Sequence, residues 1–82
     1  MESVFFTRGI SYHCEKDEEF TAFVHESVTR FLKGDWGSVV GEDKCLNDEC
    51  PEVALGVYRM EYQMIWIKRD GETVTVLFPA EY

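Results

Sequence analysis

The chain has 82 residues, of which 45% are hydrophobic and 15% aromatic, enough for one small domain over 1–82 with a filled core and too apolar for wholesale disorder. Sixteen acids against eight bases give a net charge of −8, which argues against unaided binding to nucleic acid or to an anionic membrane. No apolar run approaches the roughly 20 residues that span a bilayer, and "MESVFFTRGI", with an acid at position 2, does not read as a signal peptide, so a cytoplasmic location is expected.

In chain order, "SVFFT" (Ser3 to Thr7) is rich in β-formers and is expected to be a strand broken by Arg8-Gly9. "ISYHC" (Ile10 to Cys14) alternates weakly and is expected to be a second short strand. From Asp17 the period becomes helical: Phe20, Phe23, Val24, Val28, Phe31 and Leu32 form one apolar stripe. Asp17, Glu18 and Glu19 suit the first turn of that helix, and Arg30 and Lys33 the last. Gly34 falls where a left-handed cap is wanted, which predicts a helix from Asp17 to Lys33. A shorter helix is expected over Val39 to Glu49, with Ser38 as N-cap. Val39, Val40 and Leu46 would face the core, and Glu42, Asp43 and Asp48 would face water. Pro51 prevents its continuation.

The last third reads as sheet: Glu52 to Met60, Tyr62 to Arg69, and Glu72 to Phe78. Asp70-Gly71 predicts a type I′ hairpin turn between the last two strands. Val74, Val76 and Phe78 would share one face, with Thr73, Thr75 and Leu77 on the other. The predicted fold class is α+β: a three-stranded or larger antiparallel meander, with one long and one short helix packed on one face. Ile65 and Ile67 alternate with Met64 and Trp66, so both faces of the sheet are apolar. The face the helices leave uncovered suits a homodimer or another protein.

Chemistry finds little foothold. An odd set of three cysteines, Cys14, Cys45 and Cys50, does not read as a disulfide framework. Cys45 and Cys50 have no second closely spaced pair to complete a zinc site, and His13 and Cys14, adjacent on a strand, would point apart. Asp35, Glu42, Asp43, Asn47 and Asp48 are oxygen donors that miss the calcium-loop spacing. No metal, cofactor or catalytic set is therefore expected, although Asp35 with Glu61 on a metal, or His25 with Cys14, are the residues that a small hydrolase or nuclease would recruit. Gly34, Asp35, Trp36 and Gly37 are expected to form a structural corner, with Trp36 anchored in the core and Asp35 tying loop amides. Two acidic clusters, Glu15, Asp17, Glu18, Glu19 and Glu42, Asp43, Asp48, Glu49, Glu52, are the expected contacts for a protein partner. That partner would carry a basic, nucleic-acid-binding surface, without direct binding of nucleic acid by this chain.

Five blocks occur in a set order: "GDWG" (Gly34 to Gly37), "EDKCLND" (Glu42 to Asp48), "GVY" (Gly56 to Tyr58), "IWI" (Ile65 to Ile67) and "TVLFPAEY" (Thr75 to Tyr82). Over about Phe31 to Tyr82 the chain resembles a family of small bacterial proteins of plasmids, phages and other mobile elements. The pattern is GDWG…EDKxxND…Y…WI…TxLxPxEY. Phe31 stands where members commonly carry a histidine, Ser38 where they carry an acid, and the turn from Lys68 to Glu72 is tighter than theirs. The resemblance implies a setting among mobile DNA rather than a reaction. The expected function is non-enzymatic: binding and inhibiting or regulating a nucleic-acid-handling or defence protein, the acidic surface serving either solubility alone or mimicry of DNA.

Overall fold

The computed structural model describes residues 3–82; Met1 and Glu2, and with them the acid noted at position 2, lie outside the described residues. The fold is α+β. Strand β1 (Ser3–Phe6) is followed by helices α1 (Arg8–Lys16), α2 (Glu18–Leu32) and α3 (Gly41–Glu49). Strands β2 (Leu55–Met60), β3 (Gln63–Asp70) and β4 (Thr73–Leu77) complete the sheet, in the order β1-β4-β3-β2. Short 3₁₀ turns occupy Pro51–Val53 and Pro79–Glu81. β3 runs antiparallel to both β2 and β4, but β1 joins β4 in parallel, so the sheet is mixed rather than purely antiparallel. Among the described residues no helix is long and apolar enough to cross a membrane.

Helix α2 forms where its apolar period runs. Phe20, Val24 and Phe31 are buried, while Leu32, counted in the stripe, is exposed. Asp17 stands outside the helix as its N-cap, accepting from the amides of Glu19 at 2.9 Å and Phe20 at 3.1 Å. At the other end Gly34 takes φ +86°. The Gly34 amide donates to the Phe31 carbonyl at 3.1 Å and the Asp35 amide to that of Arg30 at 2.9 Å, the two bonds of a Schellman motif.

The segment expected as a second strand, Ile10 to Cys14, is instead helix α1. Thr7 caps it through Oγ1, which accepts from the Ile10 amide at 3.4 Å. Ile10 and Cys14, four apart, turn to the core together, and Gly9 continues the chain in the first helical turn instead of breaking it. Gly9 lies so close to Glu81 that a Cβ there would sit 2.8 Å from Oε2. Glu81 latches the C-terminal turn to this helix start. It accepts from Thr7 Oγ1 at 2.6 Å, the Phe78 amide at 2.9 Å and the Gly9 amide at 3.1 Å.

The start of α3 also differs from expectation. Val40, not Ser38, is its N-cap, and no side chain caps it. Ser38 instead donates its amide to the Val57 carbonyl at 2.8 Å, along the outer edge of β2. Val40 and Leu46 are exposed rather than buried; only Val39 packs against the core. Glu52 and Val53, expected in a strand, lie in the 3₁₀ turn that Pro51 starts.

Tyr58, Ile65, Ile67, Val74 and Val76 are buried in one cluster with Ile10, Phe20, Val24, Phe31 and Trp36, so α1 and α2 cover that face of the sheet, while the short helix expected there, α3, contributes no residue to the cluster. Leu55, Val57, Trp66, Thr75 and Leu77 alternate onto the other face, where Tyr82 meets Trp66 edge-on at 5.6 Å.

The turns follow register. Asp70 pairs with Thr73, so the two-residue loop is Gly71-Glu72, and only Gly71 has positive φ, at +64°. Glycine at the first central position is the type II′ pattern, which replaces the expected type I′ turn at Asp70-Gly71. In the β2–β3 turn Met60 pairs with Gln63, and Glu61 takes φ +50°. A left-handed non-glycine residue costs about 1–3 kcal/mol. Glu61→Gly removes that strain and adds chain entropy to the unfolded state, for a net gain of about 0.5–1 kcal/mol. Thermal melting should show the midpoint rising by several degrees.

The three donors on Glu81, Thr7 foremost, hold its carboxyl below the ordinary glutamate range. A depressed carboxyl contributes stability that is present above its unfolded value and is lost as pH falls through the folded one. Glu81→Gln should therefore lower stability at neutral pH and flatten its fall on acidification, as read by urea denaturation across that range.

Candidate functional site

The loop from α2 to α3 is assembled over Tyr58 of β2. Its ring is buried, and its hydroxyl donates to the Asp35 carbonyl at 2.6 Å. Burial, followed by the charge of Asp35, pushes the Tyr58 hydroxyl far above its ordinary pKa, so it stays a donor. Two glycines make room for the ring. At Gly37, with φ +71°, a Cβ would sit 2.0 Å from the Val57 carbonyl and 2.9 Å from the ring; at Gly56 it would sit 2.6 Å from the hydroxyl.

Asp35 holds the loop from outside. Its carboxylate takes Arg30 Nε at 2.8 Å, Arg30 Nη2 at 3.2 Å and the Gly37 amide at 3.0 Å. These donors, Arg30 first, lower its pKa. Trp36 is buried edge-on to Phe31 at 5.3 Å and donates Nε1–H to Asp48 at 2.8 Å. Asp48 also takes Lys44 Nζ at 3.0 Å, and the Trp36 bond, then Lys44, lowers its pKa. Trp36 thus fixes one side of α3.

Asn47 fixes the other. Its carboxamide donates to the Leu55 carbonyl at 2.8 Å and accepts from the Leu55 amide at 3.2 Å. A side-chain amide so placed copies the peptide group of a neighbouring strand. Asn47 is 8% exposed; its sequence context marks it only as one oxygen donor in a stretch that misses the calcium-loop spacing. A buried-facing asparagine in an otherwise polar helix, eight residues before a strand, was the available signal.

Held this way, α3 leaves a groove of about 490 Å³ between itself and the open sheet face. Val39, Leu46, Val53, Leu55 and Val57 give it an apolar lining, with Asp43, Asn47 and Cys50 at its polar points. Val57 pairs with Trp66 in the ladder, so the groove floor runs on into the sheet. Leu46 is its crest, 60% exposed, and on its outer side Glu42, Cys45 and Glu49 line a second shallow concavity. Positions 41–52 carry five acids against Lys44 alone.

The acids named from sequence divide. Asp17 is a helix cap and Asp48 holds Trp36. Glu15, Glu18, Glu19, Glu42, Asp43, Glu49 and Glu52 are exposed. The residues considered for catalysis are dispersed in role. Asp35 is committed to Arg30, Glu61 forms the β2–β3 turn, Cys14 packs on the core and His25 is exposed on α2. His13 sits among Phe20, Phe78 and Tyr12 with Nδ1 3.3 Å from the Gly9 carbonyl. All three cysteines are free. Among the described residues no three His, Cys, Asp or Glu side chains converge as metal ligands would.

No protein-family model, curated protein or solved structure matches this chain.

Removing the Asn47 carboxamide leaves a strand amide and carbonyl unpaired, so Asn47→Ala should cost about 2 kcal/mol. Asn47→Asp sets a carboxylate against the Leu55 carbonyl, which favours the protonated form. A carboxyl whose folded pKa is raised contributes stability at low pH and loses it as pH rises. Chemical denaturation should therefore show Asn47→Asp recovering relative to Asn47→Ala as pH falls toward about 4.

Proposed function

We propose that the chain is a non-enzymatic protein-binding module. In this reading the groove beside α3 receives apolar side chains of a partner while the α3 acids meet its lysines and arginines. The observation that carries it is an open apolar groove with Asp43 in its lining, beside a segment, 41–52, that carries five acids against one base. An apolar centre supplies affinity and a charged rim supplies rate and choice of partner. A basic groove that ordinarily holds phosphates is the surface such a rim suits. A partner that handles nucleic acid, and inhibition by occupying its binding face, follow as the proposed role; the resemblance to mobile-element proteins agrees with it. The enzymatic alternative draws no support from the geometry, because the Asp35 carboxylate is taken up by Arg30 of α2 and the Gly37 amide.

Peptide display against the folded chain tests this reading. Recovered sequences should combine large apolar residues with Lys or Arg. Their binding should shift the Val39, Leu46, Leu55 and Val57 methyl resonances and weaken with salt. Val53→Asp, at a side chain that is 65% exposed, should abolish it with the fold unchanged. Binders that lack basic residues, or that perturb other surfaces, would overturn the assignment.

A further inference from the structure

The sheet has two edges, and the chain treats them differently. On the β2 edge Asn47 occupies the main chain of Leu55, and the segment around Gly37 occupies that of Val57. The Val57 amide donates to the Trp36 carbonyl at 3.1 Å and the Ser38 amide to the Val57 carbonyl at 2.8 Å. That edge is sealed against a further strand over both residues.

The β1 edge has no such cover among the described residues. Ser3 and Thr7 donate their amides inward, to Glu72 at 2.8 Å and Val76 at 3.1 Å. By alternation the amides and carbonyls of Val4 and Phe6 face away from β4. The side chains are open too: Val4 is 39% exposed, Phe5 56% and Phe6 37%. The strand contains no charge and no proline, the usual devices against edge pairing.

We propose that β1 pairs antiparallel with β1 of a second copy of this chain, making one continuous sheet across a two-fold axis. The axis passes beside Phe5. Val4 then exchanges both main-chain hydrogen bonds with Phe6 of the second copy, and Phe6 with its Val4. Phe5 faces Phe5 of the second copy in the close, non-hydrogen-bonded position, on the open face of the sheet.

Charge selects this occupant. Two copies of an uncharged strand meet without like-charge contact, although each chain carries −8. The acids of α3 lie beyond β2, at the far end of the order β1-β4-β3-β2. Joined at β1, the two β2 edges stand about 34 Å apart at ~4.8 Å per strand. That is several times the screening length of roughly 8 Å at physiological salt. Joining at β2 would instead bring the two acidic helices together. A basic partner strand would find no acid along Ser3–Phe6, whereas α3 offers several.

Sedimentation velocity over about 1 µM to 1 mM, with amide hydrogen exchange at both ends of that range, tests the proposal. The wild-type chain should move from its 9.6 kDa mass to twice that, with the Val4 and Phe6 amides gaining protection as it does. Val4→Pro removes an outward donor that the monomer does not use, and Phe5→Lys places like charges face to face. Both should remain monomeric, with folding checked by circular dichroism; should the proline variant unfold, Phe5→Lys decides. A wild-type chain that stays monomeric throughout would overturn the proposal. So would a dimer that leaves the Val4 and Phe6 amides unprotected, or one that persists in folded Phe5→Lys.

Discussion

A buried phenol has to lie against a chain reversal, and the β2 side of the molecule follows from how that is achieved. Tyr58 fills the core beneath the end of α2, and its hydroxyl reaches the Asp35 carbonyl. A ring in that position leaves no space for a Cβ at Gly37 or Gly56. The loop must therefore pass close over β2, and the bridge from Gly37 to Val57 is the consequence. Once the loop is fixed there, Trp36 points into the core, α3 starts just outside it, and the distance from α3 to the sheet is set. The groove is the space that this spacing leaves.

Magnitudes rank the polar contacts around that turn. The Arg30–Asp35 pair has good geometry, but its side chains are 42% and 50% exposed. Exposed pairs contribute about 0–1 kcal/mol, so its effect is to choose one loop conformation more than to hold the fold. Asn47 matters more for its size, because an unpaired buried amide or carbonyl costs about 1–3 kcal/mol. Asp48 joins the two kinds of contact by accepting a buried indole N–H and an exposed ammonium together. Asp17, Asp35, Asp48 and Glu81 are thus acids used for architecture, each accepting main-chain or side-chain donors. The acids left for solvent or a partner are fewer than sixteen, and two groups of them stand out: Glu15, Glu18 and Glu19 at the α1–α2 junction, and Glu42, Asp43 and Glu49 on α3.

The parts of the fold that depend on local period were readable in the sequence. α2 shows its stripe, its acidic first turn and its glycine stop, and the three C-terminal strands show theirs. α1 was misread because its helical signal is short: a cap at Thr7 and one i, i+4 pair, Ile10 and Cys14, against an apparent alternation. The hairpin was placed but its turn was shifted by one residue, because register with β3 sets which pair is central, and Asp-Gly reads equally well either way. Parallel pairing of β1 with β4 joins residues some 70 apart in sequence, and no local signal carries it. The groove was invisible for the same reason. The ordered blocks from "GDWG" to "TVLFPAEY", by contrast, hold residues with specific polar or steric roles: Asp35, Trp36, Gly37, Asn47, Asp48, Tyr58 and Glu81. Their pattern reads as the requirements of a corner and a latch.

A small acidic chain faces a conflict between solubility and association, and position along the sheet resolves it. Uniform charge of one sign would keep copies apart and would leave no place for an apolar contact. Here the uncharged strand and the acidic helix stand at opposite ends of the strand order. The β2 end is closed to strand addition by Asn47 and by the Gly37 bridge, so what it presents is side chains: Leu46, Val53 and the acids around them. The β1 end presents main-chain groups and phenylalanines. The two ends therefore offer different chemistry, separated by more than the range over which exposed charges interact in physiological salt. Contact at one end need not alter the other, and an assembly built on β1 would carry its two apolar grooves, each beside the acids of α3, at opposite ends.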